Sequence, residues 1–78
     1  MVSTEIGNYL RLAPAVLSAP NGYLWSSYDP EADVLYINFK KPSVADDSEL
    51  TDDDVIIRYE GEEVIGLTVL NVSKRNDL

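Results

Sequence analysis

Residues 28–39 read YDPEADVLYINF, and this stretch decides the fold. Pro30 presets the backbone for the second position of a turn, and the Asp side chains beside it accept hydrogen bonds from the backbone ahead. From Val34 onward apolar residues recur with a period of two, which is the period of a half-buried β-strand. One face of this strand carries Leu35, Ile37 and Phe39. A turn followed by an alternating strand predicts the second arm of an antiparallel hairpin.

The same alternation predicts further strands on both sides, so that the set comprises residues 23–28, 34–39, 55–59 and 64–70. The turn at 29–33 joins the first two strands, and a tight reversal at 60–62 joins the last two. The connection between the two hairpins is about a dozen residues long, which is unusual for a plain hairpin loop. We therefore expect an antiparallel sheet of about four strands within residues 23–70.

Residues 3–18, STEIGNYLRLAPAVLS, carry apolar side chains at helical spacing. Pro14 has no N–H for the carbonyl of Leu10, so the pattern predicts a helix over about 4–12 followed by a kink or a second short helix. We expect this segment to pack on one face of the sheet and residues 71–78 to form a tail that frays or makes a short helical turn. Together the elements predict one α+β domain over residues 1–78.

The predicted strands are apolar on both faces, which is unusual for a sheet that meets solvent on one side. One short helical segment covers only one face. Because closed two-fold homodimers are the commonest oligomers, we expect a homodimer that forms through the sheet. Gly66 lies in the middle of the last strand, where glycine weakens a sheet. We expect it to mark a bulge or to let an aromatic ring such as Trp25 lie across the backbone.

The composition excludes several kinds of site. The 78 residues include no Cys and no His, which removes disulfides, thiolate zinc sites, cysteine nucleophiles and the commonest general base near neutral pH. The four glycines do not form a phosphate-binding loop. A calcium loop that begins at Asp29 fails, because its sixth position is Val34 and its twelfth is Lys40. We therefore expect no catalytic residue, no cofactor and no metal.

The formal net charge of −8 is concentrated in the middle of the chain. Residues 29–63 hold twelve acids and three bases, a net charge of −9, and residues 1–28 are neutral. Six acids lie within nine positions: Asp46, Asp47, Glu49, Asp52, Asp53 and Asp54. This run is either a solvated loop that keeps the domain soluble or a docking patch for a basic protein. Since it repels phosphate, we expect no direct binding to nucleic acid.

Sequence signals for export and for membrane insertion are missing from the chain. No apolar run approaches the roughly 18–20 residues needed to span a bilayer. The first residues, MVSTEIGNYLR, lack the basic and apolar regions of a signal peptide. We expect a cytoplasmic protein that does not bind membranes.

Two stretches resemble a known family. These are YDPEADVLYI at 28–37, and VIIRYEGEEVIGL at 55–67 with Ser48-Glu49 before it. They are similar to the small prokaryotic proteins of the "domain of unknown function twenty-two eighty-three" family, over about residues 26–75. The second hairpin of the family often begins with an acidic residue where this chain has Arg58, and many members lack a helix like residues 3–18.

The resemblance implies a compact α+β unit with an antiparallel sheet and no assigned activity. Some members of the family are similar to the antitoxin halves of two-gene toxin–antitoxin modules, encoded beside a small ribonuclease toxin. An acidic protein suits a basic partner of that kind. No residue of this chain matches a family motif with an established catalytic or binding role.

The residues and the resemblance leave three hypotheses for the function. The first is a homodimeric protein-interaction module without catalytic activity, which presents its acidic loop to a basic partner. The second is an antitoxin-like protein that neutralises a basic ribonuclease. The third is a sensor of a small ligand or a metal, with a pocket between helix and sheet lined by Tyr9, Trp25, Tyr28 and Tyr36.

Overall fold

A computed structural model describes residues 6–77 of the chain. Its helices are α1 (Ile6–Leu10) and α2 (Ala13–Ser18), with 3₁₀ turns at Pro20–Gly22 and Val72–Lys74. Its strands are β1 (Trp25–Asp29), β2 (Val34–Asn38), β3 (Asp47–Leu50), β4 (Val55–Glu60) and β5 (Glu63–Leu70). Within residues 6–77 these five strands form one antiparallel sheet in the order β1-β2-β5-β4-β3. The predicted α+β class is confirmed, but the sheet has five strands instead of about four.

The additional strand is β3. It lies in the acidic connection, which the sequence indicates to be either a solvated loop or a docking patch. Asp47 pairs with Tyr59 and Leu50 with Ile56, so β3 extends the sheet beyond β4. Its four residues, DSEL, are all exposed and lack an alternating apolar pattern, which is why periodicity does not reveal the strand. Backbone pairing with β4 holds it in place. Acidic side chains on an edge strand oppose pairing with the edge of another molecule.

The two hairpins form as the turn residues predict. Asp29 accepts hydrogen bonds through Oδ1 from the backbone N–H groups of Glu31 and Ala32, at 3.0 and 3.3 Å, and so closes the turn between β1 and β2. Gly61 has a φ of 62° in the reversal between β4 and β5, a conformation that glycine adopts without strain. The register of both hairpins follows from these short turns.

The helical segment does not pack on the sheet, and the prediction that it would is wrong. No residue of α1 or α2 is buried, and Leu17 is 84% exposed. Asn21 and Gly22 both have positive φ, and the Asn21 amide donates to Glu63 Oε2 at 3.4 Å. The segment is therefore attached at the β4–β5 end of the sheet instead of across its face. Within residues 6–77, no helix is long and apolar enough to cross a membrane.

The strand register divides the side chains between two different faces, because partners in adjacent strands point to the same side. One face, called the aliphatic face here, carries Leu35, Ile37, Val55, Ile57, Leu67 and Val69. The opposite face, called the Arg58 face, carries Trp25, Tyr36, Asn38, Arg58, Gly66 and Thr68. Of these six side chains only Val69 is buried and the other five are half-buried, while Ile65, two residues before Leu67 on β5, is buried as well. The sheet therefore has one apolar face that is left open.

Asp33 joins the first hairpin to the C-terminal 3₁₀ turn. Its carboxylate accepts hydrogen bonds from Tyr28 Oη at 2.8 Å, Ser73 N at 3.1 Å and Ser73 Oγ at 2.8 Å. Its backbone carbonyl accepts from Val72 N at 3.1 Å, and its φ is 57°. Val72 is thereby held in a buried position. The predicted short helical turn in the tail is thus present.

The carboxylate of Asp33 makes stability depend on pH. Hydrogen bonds from Ser73 and Tyr28 lower the pKa of Asp33 below its usual value. The stabilisation is therefore complete above the unfolded pKa of about 3.9 and is lost as the pH falls through the lower folded pKa. We expect Asp33→Asn to lower the melting temperature at neutral pH and to flatten the loss of stability between about pH 5 and pH 2. Thermal unfolding followed by circular dichroism across that range tests this.

Glu31→Asn is the control, since Glu31 is exposed in the same turn. Its melting temperature should follow that of the wild type at every pH. Equal pH profiles for the wild type and Asp33→Asn would contradict the role assigned to the carboxylate.

Candidate functional site

The structure spreads the predicted acidic docking residues along one edge of the sheet. Asp46 precedes β3 and accepts from the backbone N–H of Gly61 at 3.1 Å. Glu49 accepts from Tyr59 Oη at 3.1 Å, and this hydrogen bond raises the pKa of Tyr59. Asp47 accepts from the N–H of Ser48 at 2.8 Å. These acids stabilise the edge locally and remain exposed.

The remaining three acids occupy the β3–β4 turn. Asp53 pairs with Arg75 at 2.8 Å, and Arg75 also pairs with Asp77 at 2.9 Å. These hydrogen bonds lower the pKa of Asp77 and raise that of Arg75. Asp52 and Asp54 are exposed. Among residues 6–77 no three carboxylates converge as a metal site would require.

The pocket predicted between helix and sheet does not form, but two of its four residues meet elsewhere. Tyr9 is 65% exposed on α1. Tyr28 donates its hydroxyl hydrogen bond to Asp33, which raises the pKa of Tyr28. Trp25 and Tyr36, by contrast, line one groove on the Arg58 face. The candidate site is this groove, called the Arg58 groove here.

Residues in one row across four strands build the floor of the Arg58 groove. Trp25 pairs with Asn38, Asn38 with Gly66, and Gly66 with Arg58, so their side chains share one face. A β-carbon on Gly66 would lie 3.2 Å from Asn38 Oδ1, 3.3 Å from Arg58 Nη1 and 3.1 Å from the carbonyl oxygen of Ile37. The missing side chain therefore lets Asn38 and Arg58 meet above β5. The expected bulge is present beside Gly66, because the register of β4 and β5 shifts between Arg58 and Tyr59. The groups above Gly66 are polar and not the ring of Trp25.

Arg58 donates hydrogen bonds to three uncharged oxygen atoms of two residues, Asn38 and Ser43. Its Nη1 donates to Asn38 Oδ1 at 3.2 Å and to Ser43 Oγ at 2.7 Å, and its Nη2 donates to the Ser43 carbonyl at 2.9 Å. Ser43 Oγ in turn donates to Asn38 Oδ1 at 2.7 Å. Asn38 is only 5% exposed. This network fastens the loop after β2 across the sheet.

No carboxylate pairs with Arg58 within the described residues. The ion pairs of residues 6–77 join Lys40 to Glu60, Lys74 to Asp33, and Arg75 to Asp53 and Asp77. Arg58 is thus half-buried beside neutral oxygen atoms. In a chain with a net charge of −8, a cation without an acidic partner is unexpected.

The sequence patterns do not reveal the network of Asn38, Ser43 and Arg58. Their one sign in the sequence is that Asn38 and Arg58 each interrupt an apolar strand, while Gly66 interrupts the strand that lies between those two. Only the register shows that these three positions are neighbours.

Residues 25–73 match the model of a family described as "Protein of unknown function (DUF2283)", and this range covers 49 of the 78 residues. The chain belongs to the DUF2283 family. The DUF2283 region begins at the first residue of β1 and ends inside the C-terminal 3₁₀ turn, so it includes the Arg58 groove and leaves α1 and α2 outside. Comparisons with curated proteins and with solved structures gave no match. The family match over residues 25–73 confirms the resemblance that the sequence shows.

Substitution of Gly66 tests the geometry of the groove floor. We expect Gly66→Ala to destabilise the protein by about 1–3 kcal/mol, because the methyl group collides with a backbone carbonyl and with the Asn38–Arg58 contact. The free energy of unfolding in urea measures the effect.

Gly7→Ala provides the matched control, since no atom lies within 4 Å of a β-carbon at this helical position. It should leave stability unchanged or raise it slightly, because alanine favours helix. Equal stabilities of the two variants would contradict the assigned role of Gly66.

Proposed function

We propose that this DUF2283 protein is a non-enzymatic interaction module that works as a homodimer. The observation that carries the proposal is the aliphatic face of the sheet, on which five apolar side chains remain half-buried around the buried Ile65 and Val69. Contiguous apolar surface of this kind marks an interaction site in soluble proteins. A second copy of the chain is the partner that offers the same surface for a two-fold contact.

The small core supports this proposal. Among residues 6–77, the buried apolar residues are Val34, Ile65, Val69 and Val72. The chain is 45% apolar, so most of its apolar side chains are not fully buried in one protomer. Association would remove part of that surface from water and stabilise the fold by about 25 cal/mol per Å².

The size of the aliphatic face indicates that the helical segment contributes to the interface. The face spans three strands and about five residues, so its plane measures roughly 14 Å by 17 Å, or roughly 240 Å². A stable interface buries about 800 Å² on each partner. The sheet alone is too small. Exposed apolar side chains on α1, α2 and the turn between them supply the missing area: Ile6, Tyr9, Leu10, Leu12 and Leu17.

The shifted pKa values do not require catalytic chemistry. Each of them is caused by hydrogen bonds or ion pairs with its own neighbours, such as the hydrogen bond of Lys40 with Glu60 or that of Tyr59 with Glu49. Perturbed groups at active sites are typically clustered in a cleft. Here they are distributed over separate parts of the sheet, and an interaction module needs none of them.

The oligomeric state tests the proposal. We expect light scattering at micromolar concentration to give about twice the chain mass of 8.7 kDa. Ile57→Thr, on the aliphatic face, should shift the protein towards the monomer by at least about tenfold in dissociation constant, since it removes apolar area and adds a hydroxyl group. Ile56→Thr is the control, because its half-buried side chain lies on the opposite face.

A second pair of variants tests the contribution of the helices. Leu17→Asp should weaken the dimer without unfolding the protomer, because Leu17 is already 84% exposed. Leu50→Asp adds the same charge at a 65% exposed position on the Arg58 face and should leave the dimer intact. A monomeric wild type would refute the dimer, and equal effects of the two members of either pair would refute the interface assigned to it.

A second candidate function is docking of a basic protein, and the exposed acidic edge favours it. Of the six predicted docking acids, only Asp53 has an ion pair within residues 6–77. The other five project carboxylates from β3 and its flanking turns, where they would raise the association rate of a cationic partner. This candidate includes the antitoxin-like role and is compatible with the dimer, because the edge lies beside the aliphatic face.

Salt and charge substitutions test the acidic edge. We expect a basic protein captured by the immobilised chain at about 50 mM salt to be released at about 500 mM. Asp52→Asn combined with Asp54→Asn should weaken capture several-fold, because Asn keeps the left-handed backbone of position 54 but removes the charge. Glu31→Gln with Glu62→Gln changes the net charge equally at other exposed sites and should have a smaller effect. Salt-independent capture would exclude this surface.

A further inference from the structure

We propose that the Arg58 groove binds a small aromatic carboxylate. In this arrangement the carboxylate lies against the free edge of the Arg58 guanidinium, and the ring lies along Tyr36 and Trp25. The inference is independent of the dimer, because the groove and the aliphatic face are on opposite sides of the sheet.

The hydrogen bonds of Arg58 leave one edge of its guanidinium free. A guanidinium has five N–H donors in a planar fork. Asn38 and Ser43 accept from both hydrogens of Nη1 and from one hydrogen of Nη2. Because Ser43 accepts from both Nη atoms, it occupies the outer edge. The Nε–H and the second N–H of Nη2 remain as a parallel pair, and this is the geometry that binds a carboxylate in a bidentate manner.

The free edge is accessible and already oriented. In residues 6–77 no buried side-chain nitrogen or oxygen lacks a hydrogen-bond partner, so the unpaired Nε of Arg58 keeps some contact with solvent. The buried Asn38 and the loop at Ser43 fix the plane of the guanidinium. A ligand therefore binds without ordering a flexible arginine, which removes part of the entropic cost of binding.

The walls of the groove fit a flat apolar ring. The groove is an open depression of about 550 Å³. Trp25 and Tyr36 line it on β1 and β2, and Pro42 and Val44 line it from the loop. Trp25 is 37% exposed and Tyr36 is 40% exposed, so both present ring surface. Aromatic faces of this kind favour stacked or edge-on contact with another ring.

The charge around the groove selects a monoanion. Arg58 is a cation that lines the groove, and Lys41 lies near Trp25, with Nζ 6.0 Å from the centroid of the Trp25 ring. The remainder of the chain is strongly acidic and repels a dianionic phosphate more strongly than a singly charged carboxylate. A carboxylate matches both the single charge and the planar fork.

The span of the groove suggests a bicyclic probe. Trp25 and Arg58 lie three strand spacings apart, about 14 Å between their backbones. We therefore use 2-naphthoate, with 2-naphthamide as the neutral analogue and acetate as the carboxylate without a ring. The chain has one Trp, so its indole N–H gives a single nitrogen–proton correlation signal that reports on this groove.

The expected result is a saturable shift of the Trp25 signal with 2-naphthoate, and a dissociation constant at least about tenfold lower than for 2-naphthamide or acetate. Arg58→Lys keeps the positive charge but loses the planar pair of N–H donors, and it should raise the dissociation constant for 2-naphthoate about tenfold. Arg11→Lys makes the same exchange in the turn after α1, where residue 11 is exposed, and should bind as the wild type does.

A second variant covers the case in which Arg58→Lys unfolds. Tyr36→Ser removes an aromatic ring that lines the groove and leaves the guanidinium in place. It should lower the affinity for 2-naphthoate several-fold, while the affinity for acetate stays unchanged. Equal affinities for 2-naphthoate and 2-naphthamide, no saturable shift at Trp25, or equal binding by the wild type and Tyr36→Ser would each overturn the proposal.

Discussion

The contact of Asn38 with Arg58 above Gly66 is the constraint on which the two faces of the sheet depend. β5 is the central strand and pairs with both β2 and β4. Because position 66 has no side chain, a buried amide and a guanidinium meet over its backbone and hold the loop at Ser43. Each buried polar atom of this network finds a partner. A satisfied polar network of this kind specifies one arrangement of strands more sharply than apolar packing alone.

This network also explains why the two faces differ. The loop after β2 crosses the Arg58 face, and its serine is the anchor. Within residues 6–77 neither helix performs that role on the aliphatic face, because the helical segment is attached near Glu63 at the end of the sheet. The protein thus has one face organised around a cation and one face that is mainly aliphatic. The family match covers the strands that build both faces and leaves out the helices.

Local patterns predict the parts of this fold that depend on neighbouring residues. The turn at Asp29 and the reversal at Gly61 use side chains and backbone conformations that act within a few residues, and both hairpins form as expected. The division of the helical segment at Pro14 has the same local origin. β3 was missed, since an exposed edge strand needs no apolar alternation and is held by backbone pairing with β4.

By itself the sequence determined the α+β class, the hairpins, the family and the acidic segment, because turn chemistry, side-chain period and charge are properties of adjacent residues. Only the tertiary structure decided that the helices leave the sheet uncovered, that the acids line an edge, and that Asn38, Ser43 and Arg58 surround Gly66. Those facts depend on register. Register brings residues twenty or more positions apart into contact, and no periodicity within a single strand encodes which partner each residue meets.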